Sequence, residues 1–119
     1  MGANGNQALI AGNSIHTHMP TPGCVYAIHM HEDAHPDIRD NTIYLTDTGN
    51  RGILEEDHVS RPTALLANRF YAPRSNAALY IDHLGAVDPQ LITSVGALNA
   101  LPGVPTVGGN TFAVVAAAP

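Results

Sequence analysis

The sequence predicts a mainly β fold, with at most one or two short helices, built as a small antiparallel sandwich or barrel with extended uncharged terminal arms. Three observations support this prediction. The 119 residues include 11 glycines and 9 prolines, which favour turns and short extended segments. Apolar residues alternate over short runs, as they do in strands. Every Asp, Glu and Arg lies between Glu32 and Asp88, so both ends of the chain are uncharged.

The predicted elements follow in chain order. The sequence divides into an extended N-terminal arm (1–23), a β-rich core domain (24–101) and a C-terminal extended segment with a closing strand (102–119). Four strands are predicted, over residues 24–30, 41–46, 77–82 and 111–116. Two short helices are predicted, over residues 60–69 and 88–98, and Gly96 weakens the second. Residues 53–58 fit either a helical turn or a strand edge. We find no internal repeat and no firm linker.

The uncharged ends predict contacts with other subunits. Neutral segments rich in small residues cost little to desolvate, and their backbone groups can pair with a neighbouring chain. The alternative is that these ends form inner strands of the same domain. Under the first interpretation, the interface anchors are the apolar residues of the two arms: Leu9, Ile10, Ile15, Phe112, Val114 and Val115.

Composition excludes several classes of function. The net charge is −5, with five Arg and no Lys, which argues against a nucleic-acid surface. No apolar run is long enough for a membrane span, and the N-terminus lacks the basic and apolar regions of a signal peptide. Cys24 is the only cysteine, so no internal disulfide is possible and a buried thiol is expected.

The histidine-rich stretch from His29 to His35 is the best candidate for chemistry. It contains H-E-x-x-H at His31 to His35, which resembles the zincin motif when it lies on a helix. The alternation before it predicts a strand instead, and Pro36 disfavours helical angles at His35. Asp33 also occupies a position where zincins have a bulky apolar residue.

The same stretch resembles the first cupin motif, in which a Gly is followed by five residues, then H-x-H, then a Glu. Gly23, His29 and His31 match the first half, whereas His35 stands where the cupin has Glu. The resemblance implies that His29, His31 and His35 bind a divalent transition metal in a small oxygenase or isomerase. A further use is structural, because H-x-H pairs on a trimer axis can bind a metal, as in the spike tips of tailed phages. Both His29-Met-His31 and His16-Thr-His18 are eligible.

The whole chain resembles, in composition only, the cement or decoration proteins of tailed-phage heads. The resemblance rests on the uncharged arms, the lone cysteine, the absence of lysine and the short turn-rich strands. It implies a non-enzymatic structural protein with no cofactor, located in the virion, or in the host cytoplasm during assembly. It also implies a homo-oligomer, with a trimer among the expected states, bound to a larger shell such as a major capsid protein. The metal-binding enzyme described above is the alternative function.

Overall fold

The chain winds into successive coils, each made of three strands, and the coils stack as a parallel β-solenoid. A computed structural model describes residues 2–4, 7–18, 25–46, 49–83 and 88–116. The strands in these ranges are β1 (Gly2–Asn4), β2 (Leu9–Ala11), β3 (Ser14–Thr17), β4 (Val25–His31), β5 (Asp37–Arg39), β6 (Thr42–Leu45), β7 (Asn50–Glu55), β8 (Ala64–Leu66), β9 (Arg69–Ala72), β10 (Tyr80–Asp82), β11 (Gln90–Ile92), β12 (Thr106–Gly108) and β13 (Thr111–Val114). The helix described there, α1 (Val95–Leu98), follows β11 and is far too short to cross a membrane.

The strands form three sheets that the chain visits in turn. Sheet 1 has the order β1-β4-β7-β10-β11, sheet 2 the order β12-β8-β5-β2, and sheet 3 the order β13-β9-β6-β3. One passage through the three sheets is a coil. Coils 1, 2 and 3 are β1–β3, β4–β6 and β7–β9, and coil 4 is β10, β12 and β13. The segment between β10 and β12, which carries β11 and α1, is an insertion into coil 4.

The prediction of a mainly β fold with a short helix is confirmed, but the predicted antiparallel sandwich or barrel is wrong. Among the described strands, every pairing is parallel except that of β10 with β11. Strands that are consecutive in the sequence lie in different sheets, so each pairs with the strand one coil away. Alternating apolar residues predict a strand, but they do not reveal which strand it pairs with.

The stacking also shows an internal repeat that the sequence did not reveal. Leu9, Asp37, Ala64 and Thr106 are register partners along sheet 2. Equivalent residues are 28 and then 27 positions apart in the first three coils. The separation rises to 42 between coils 3 and 4, because the insertion lengthens coil 4.

The repeat is clearest at the turn between sheets 2 and 3. Each of these turns places one residue in the left-handed region, with φ between 54° and 68°, and an asparagine directly after it. The left-handed residues are Gly12, Asp40, Ala67 and Gly109. The asparagines that follow them, Asn13, Asn41, Asn68 and Asn110, form a ladder through the four coils. Their amides satisfy turn backbone groups that would otherwise be buried without partners.

Apolar side chains of all three sheets fill the interior of the solenoid. Sheet 1 contributes a row in which Ile28, Ile53 and Tyr80 are register partners with no exposed surface. Burying such a side chain stabilises the fold by roughly 1.5–3 kcal/mol. The insertion adds Leu98 and Leu101 to the same core, so it closes the interior at the coil 4 end.

Two local predictions need correction. The predicted helix over residues 60–69 is wrong, because this segment contributes β8 and the start of β9, with Leu65 fully buried between neighbouring coils. The predicted helix over residues 88–98 is replaced by β11 and by α1, which begins after the N-cap Ser94. The hydroxyl of Ser94 accepts a hydrogen bond from the N–H of Ala97 at 3.2 Å.

The segment predicted as an N-terminal arm contributes β1, β2 and β3. They pair in parallel with β4, β5 and β6 of the same chain and form the edge strand of each sheet. In the C-terminal segment, β12 and β13 pair with β8 and β9. Residues 19–24, which include Gly23 and Cys24, lie outside the described residues.

Candidate functional site

The H-E-x-x-H motif does not lie on a helix. His31 is the last residue of β4, and the two residues after it, Glu32 and Asp33, have φ of 57° and 59°. A left-handed conformation at two consecutive residues turns the chain sharply, so the prediction that the motif lies at a strand end is confirmed. The zinc helix is excluded because His31 and His35 do not stand one helical turn apart.

The ring of His35 hydrogen bonds to groups other than the two remaining predicted ligands, His29 and His31. Its Nε2 lies 2.8 Å from Oδ1 of Asp33, and its Nδ1 lies 3.0 Å from the carbonyl oxygen of Arg61. Both ring nitrogens therefore have partners in the turn between sheets 1 and 2.

His29 and His31 lie side by side on the outer face of sheet 1. Their rings are stacked with centroids 5.1 Å apart. Glu56, directly after β7, approaches both rings, with Oε2 at 3.1 Å from Nε2 of His29 and 3.9 Å from Nδ1 of His31. This approach is not aligned as a hydrogen bond, because Nε2 of His29 has no hydrogen-bond partner among the described residues. The structure thus brings Glu56, which we did not predict, to the two histidines instead of His35.

Two further histidines extend this histidine face, which we define as His29, His31, Glu56, His58 and His83. The rings of His58 and His83 are stacked with centroids 5.7 Å apart. Nδ1 of His83 lies 3.2 Å from the carbonyl oxygen of Glu56, and Nδ1 of His58 lies 3.0 Å from that of His83. Nowhere in the described ranges do three His, Cys, Asp or Glu side chains converge on a point suitable for a metal ion.

A buried ionic network lies inside the solenoid, where coils 3 and 4 meet the insertion. Nε of Arg61 donates to Oε2 of Glu55 at 3.0 Å, and Nη2 donates to Oε1 at 3.4 Å. The same guanidinium donates to Asp82 and to the carbonyl of Pro102 in the insertion. Glu55 is completely buried and the side chain of Arg61 is 6% exposed. The bond to the Pro102 carbonyl joins the insertion to coil 3, and the pairing of Arg61 with Glu55 offsets the cost of burying that carboxylate.

The same carboxylate has two further donors. The hydroxyl of Tyr80 donates to Oε2 of Glu55, and the N–H of His83 donates to Oε1 at 2.9 Å. Burial raises the pKa of Glu55, although hydrogen bonds from Tyr80, Arg61 and His83 oppose the shift. Burial, followed by the charge of Glu55, raises the pKa of Tyr80. These hydrogen bonds link Glu55 of coil 3 to Tyr80 of coil 4 and to His83, which directly follows β10.

Sequence reasoning missed this network, although one signal was present. Glu55 occupies an inward position of a strand whose neighbouring inward residue, Ile53, is apolar. An acid at such a position needs a buried cationic partner. The partner was not identifiable from spacing alone, because Arg61 reaches Glu55 only through the turn between sheets 1 and 2.

The predicted interface anchors divide into exposed and buried residues. Leu9 of coil 1 is 66% exposed and Val114 of coil 4 is 56% exposed. Ile10 is 3% exposed and belongs to the core. Ile15 and Phe112 are partly buried against the core. Val115 is partly buried and follows β13, and its N–H donates to the carbonyl of Ala72 at 2.9 Å.

Charge is distributed along the solenoid axis in sheets 2 and 3. None of the strands that coils 1 and 4 contribute to these two sheets contains a charged residue. The middle coils do carry charge there, with Asp37 and Arg39 on β5 and Arg69 on β9. The uncharged termini of the sequence thus become the two outer layers of the stack.

The chain was compared with protein-family models, curated proteins and solved structures, and none of them matches it.

Proposed function

We propose that this protein is a non-enzymatic structural and assembly component that acts through contacts of its two end coils. The finer proposal is a cement or decoration protein of a virion shell, which forms a homo-oligomer and binds a larger protein shell. The solenoid would serve as a short rigid rod whose middle faces solvent and whose ends contact other subunits.

The observation that carries this proposal is the exposure of apolar side chains on the two end coils, whose strands in sheets 2 and 3 contain no charged residue. Solenoids that remain monomeric normally need terminal repeats with polar outer faces. Here Leu9 and Val114 are more than half exposed on coils 1 and 4, and the strands that carry them, β2 and β13, contain no charged residue. An end coil whose outer face is apolar and uncharged in these strands is suited to contact with another subunit.

The buried network supports the same proposal. Glu55 accepts hydrogen bonds from Arg61 of the same coil and from Tyr80 of coil 4, and all three residues are nearly or fully buried. Their placement suits a role in stiffening the rod.

Light scattering after size-exclusion chromatography tests the proposal. We expect the purified protein to form an oligomer, with a mass at least twice that of its 12.5 kDa chain. Leu9→Glu or Val114→Glu should lower this mass, because each places a charge in an apolar contact. Val59→Glu is the matched control, since Val59 is 51% exposed but lies between β7 and β8 in the middle of the stack.

Two outcomes would contradict the proposal. One is a monomer that binds about one transition metal ion per chain, which would favour the metal-binding enzyme. The other is equal loss of mass in the Val59→Glu control, which would show that the end coils have no special role. The virion proposal needs a separate test, namely sedimentation of the protein with shells of a capsid protein from the same source. Failure to sediment with those shells would remove the finer proposal only.

A further inference from the structure

In coil 1, alternate backbone groups of β2 point towards coil 2 and away from it. The N–H of Asp37 donates to the carbonyl of Ala8, and the N–H of Gly12 donates to the carbonyl of Arg39. Backbone groups of alternate residues in a strand point to opposite neighbours. Leu9 and Ala11 therefore direct their N–H and C=O groups away from coil 2.

Alternate residues of β3 also direct their backbone groups towards coil 2 and away from it. The N–H of Thr42 donates to the carbonyl of Asn13, so Asn13 and Ile15 face coil 2. Ser14 and His16 then face the opposite edge. In the part of the chain that the structure describes, β2 and β3 each pair on one side only. Coil 1 thus presents a row of backbone donors and acceptors suited to another strand.

The asparagine ladder distinguishes the two ends of the solenoid. The Oδ1 atoms of Asn41, Asn68 and Asn110 each accept hydrogen bonds from the backbone and side-chain amides of the asparagine one coil earlier. At the coil 4 end, Asn99 of the insertion accepts from both amides of Asn110, at 3.0 and 2.8 Å. Its own Nδ2 donates to the carbonyl of Asn110 at 3.0 Å. Asn99 therefore ends the ladder at coil 4, and coil 1 has no equivalent among the described residues.

The edge of coil 1 also lacks the features that normally prevent pairing between sheets. Proteins protect edge strands with charged residues, prolines or bulges. Neither β2 nor β3 contains a charged residue or a proline. Two copies of this edge can approach each other without opposing like charges. An isologous contact, in which the same surface meets itself, needs such self-compatibility.

From these observations we propose that coil 1 binds coil 1 of a second copy of this chain, edge to edge, about a two-fold axis through the turn at Gly12 and Asn13. The proposal rests on the assembly function above and identifies the surface and the partner. The axis places β2 of one copy antiparallel to β3 of the other. Ala11 then pairs with Ser14 of the second copy, and Leu9 pairs with its His16. All four residues direct their backbone groups to this edge, as hydrogen-bonded antiparallel pairs require.

A mixed cross-linking experiment tests this arrangement. Leu9→Cys and His16→Cys are made separately in a chain that carries Cys24→Ser, and a short bismaleimide is added to each protein and to their mixture. We expect a covalent dimer at least tenfold more abundant in the mixture than in either protein alone. The matched control uses Thr106→Cys and Ala113→Cys, the equivalent positions of coil 4, and should give no such increase.

A second variant tests the backbone pairing without relying on added cysteines. Ala11→Pro removes an N–H that points away from coil 2, so the solenoid should fold while edge pairing is lost. We expect a monomer with an unchanged circular dichroism spectrum. A folded Ala11→Pro protein that keeps the mass of the original overturns the two-fold contact. An oligomer that cross-links at positions 106 and 113 but not at positions 9 and 16 overturns it too, while the proposed assembly function remains. A monomeric original chain overturns both.

Discussion

Asn68 and Asn110 lie 42 positions apart, yet Oδ1 of Asn110 accepts hydrogen bonds from both the backbone and side-chain amides of Asn68, each at 2.9 Å. This relationship joins coil 3 to coil 4 across the insertion. It shows that the insertion leaves the register of the solenoid unchanged, because the chain returns to the ladder position that it left.

Replacing the ladder residue Asn68 with alanine should strongly destabilise the fold. Its Nδ2 donates to the carbonyl of Ile38 at 3.1 Å, and its Oδ1 accepts from both amides of Asn41. Asn68→Ala leaves these buried groups without partners, so we expect a loss of roughly 3 kcal/mol in the free energy of unfolding. Urea denaturation, followed by circular dichroism, measures this loss in the free energy of unfolding. Asn13→Ala, at the partly exposed end of the ladder, should cost only about 1 kcal/mol, and equal losses would contradict a buried ladder.

Replacing Gly52 and Gly96 with alanine should change the free energy of unfolding in opposite directions. A Cβ on Gly52 of β7 would lie 2.1 Å from the carbonyl oxygen of Leu79 and 3.1 Å from the ring of Phe70. Backbone must then move, so Gly52→Ala should lower the free energy of unfolding by about 3 kcal/mol. Gly96 in α1 has no atom within 4 Å of the same position, so Gly96→Ala should raise it by ~0.5 kcal/mol through helix propensity. Thermal denaturation of the two variants provides the comparison, and a stable Gly52→Ala protein would argue against the close packing of coils 3 and 4.

Removing the cation of the buried network should destabilise the protein more at higher pH. Arg61→Met leaves Glu55 buried without its counter-ion, at a cost of about 3–5 kcal/mol near neutral pH. Burial already raises the pKa of Glu55 above that of the unfolded chain, and loss of Arg61 should raise it further. The folded state then binds more protons than the unfolded state, so stability falls as pH rises from about 4.5 through the folded pKa.

The measurement for this prediction is chemical denaturation at pH 5 and pH 7.5. The difference in free energy of unfolding between Arg61→Met and the original protein should be larger at pH 7.5 than at pH 5. Adding Glu55→Gln to Arg61→Met removes the buried charge and should flatten this pH dependence. A gap that is independent of pH would mean that Glu55 is not the group responsible.

Asp57 should contribute stability that disappears in acid. Partial burial alone would raise its pKa, but the Ser60 hydroxyl and the N–H groups of Ser60, Val59 and Asp33 hydrogen bond to the carboxylate and lower the pKa to about 2. Since the unfolded value is near 3.8, the contribution is complete above that pH and is lost as pH falls towards 2. Asp57→Asn should cost about 1 kcal/mol at pH 6, a figure reduced for solvent screening.

Urea denaturation of Asp57→Asn and of the original protein at pH 6 and pH 2 checks this. Because pH 2 is close to the folded pKa of Asp57, most of the difference in free energy of unfolding should be lost at the lower pH. Val59→Ala is a suitable control, because the N–H of Val59 that reaches Asp57 at 3.1 Å is retained. A difference that is as large at pH 2 as at pH 6 would assign the effect to packing.

Sequence periodicity located several strands well. The predicted strands at 24–30, 41–46 and 111–116 correspond to β4, β6 and β13, with ends that differ by one or two residues. Alternation along a single strand depends only on which face is buried, so it can be read locally. The predicted helix at 60–69 failed because its residues lie between coils, and tertiary burial outweighs local helix preference.

The repeat and the site depended on relationships that local patterns do not contain. Inward positions accept Ile, Leu, Val or Phe at similar cost, so the coils share little residue identity beyond their asparagines. Likewise, Glu56 reaches His29 because Met30 and Glu55 are register partners on neighbouring strands. That pairing depends on how coil 3 stacks on coil 2.

By itself the sequence determined the mainly β class, the strand that carries His29 and His31, and the end of that strand before Pro36. These features follow from side-chain alternation and allowed backbone angles within a few residues. Only the tertiary structure decided that the strands pair in parallel, that Asn13, Asn41, Asn68 and Asn110 share a ladder, and that the uncharged ends are the outer coils. Each of these requires hydrogen bonds between residues a full coil apart, and no property of neighbouring residues specifies such a partner.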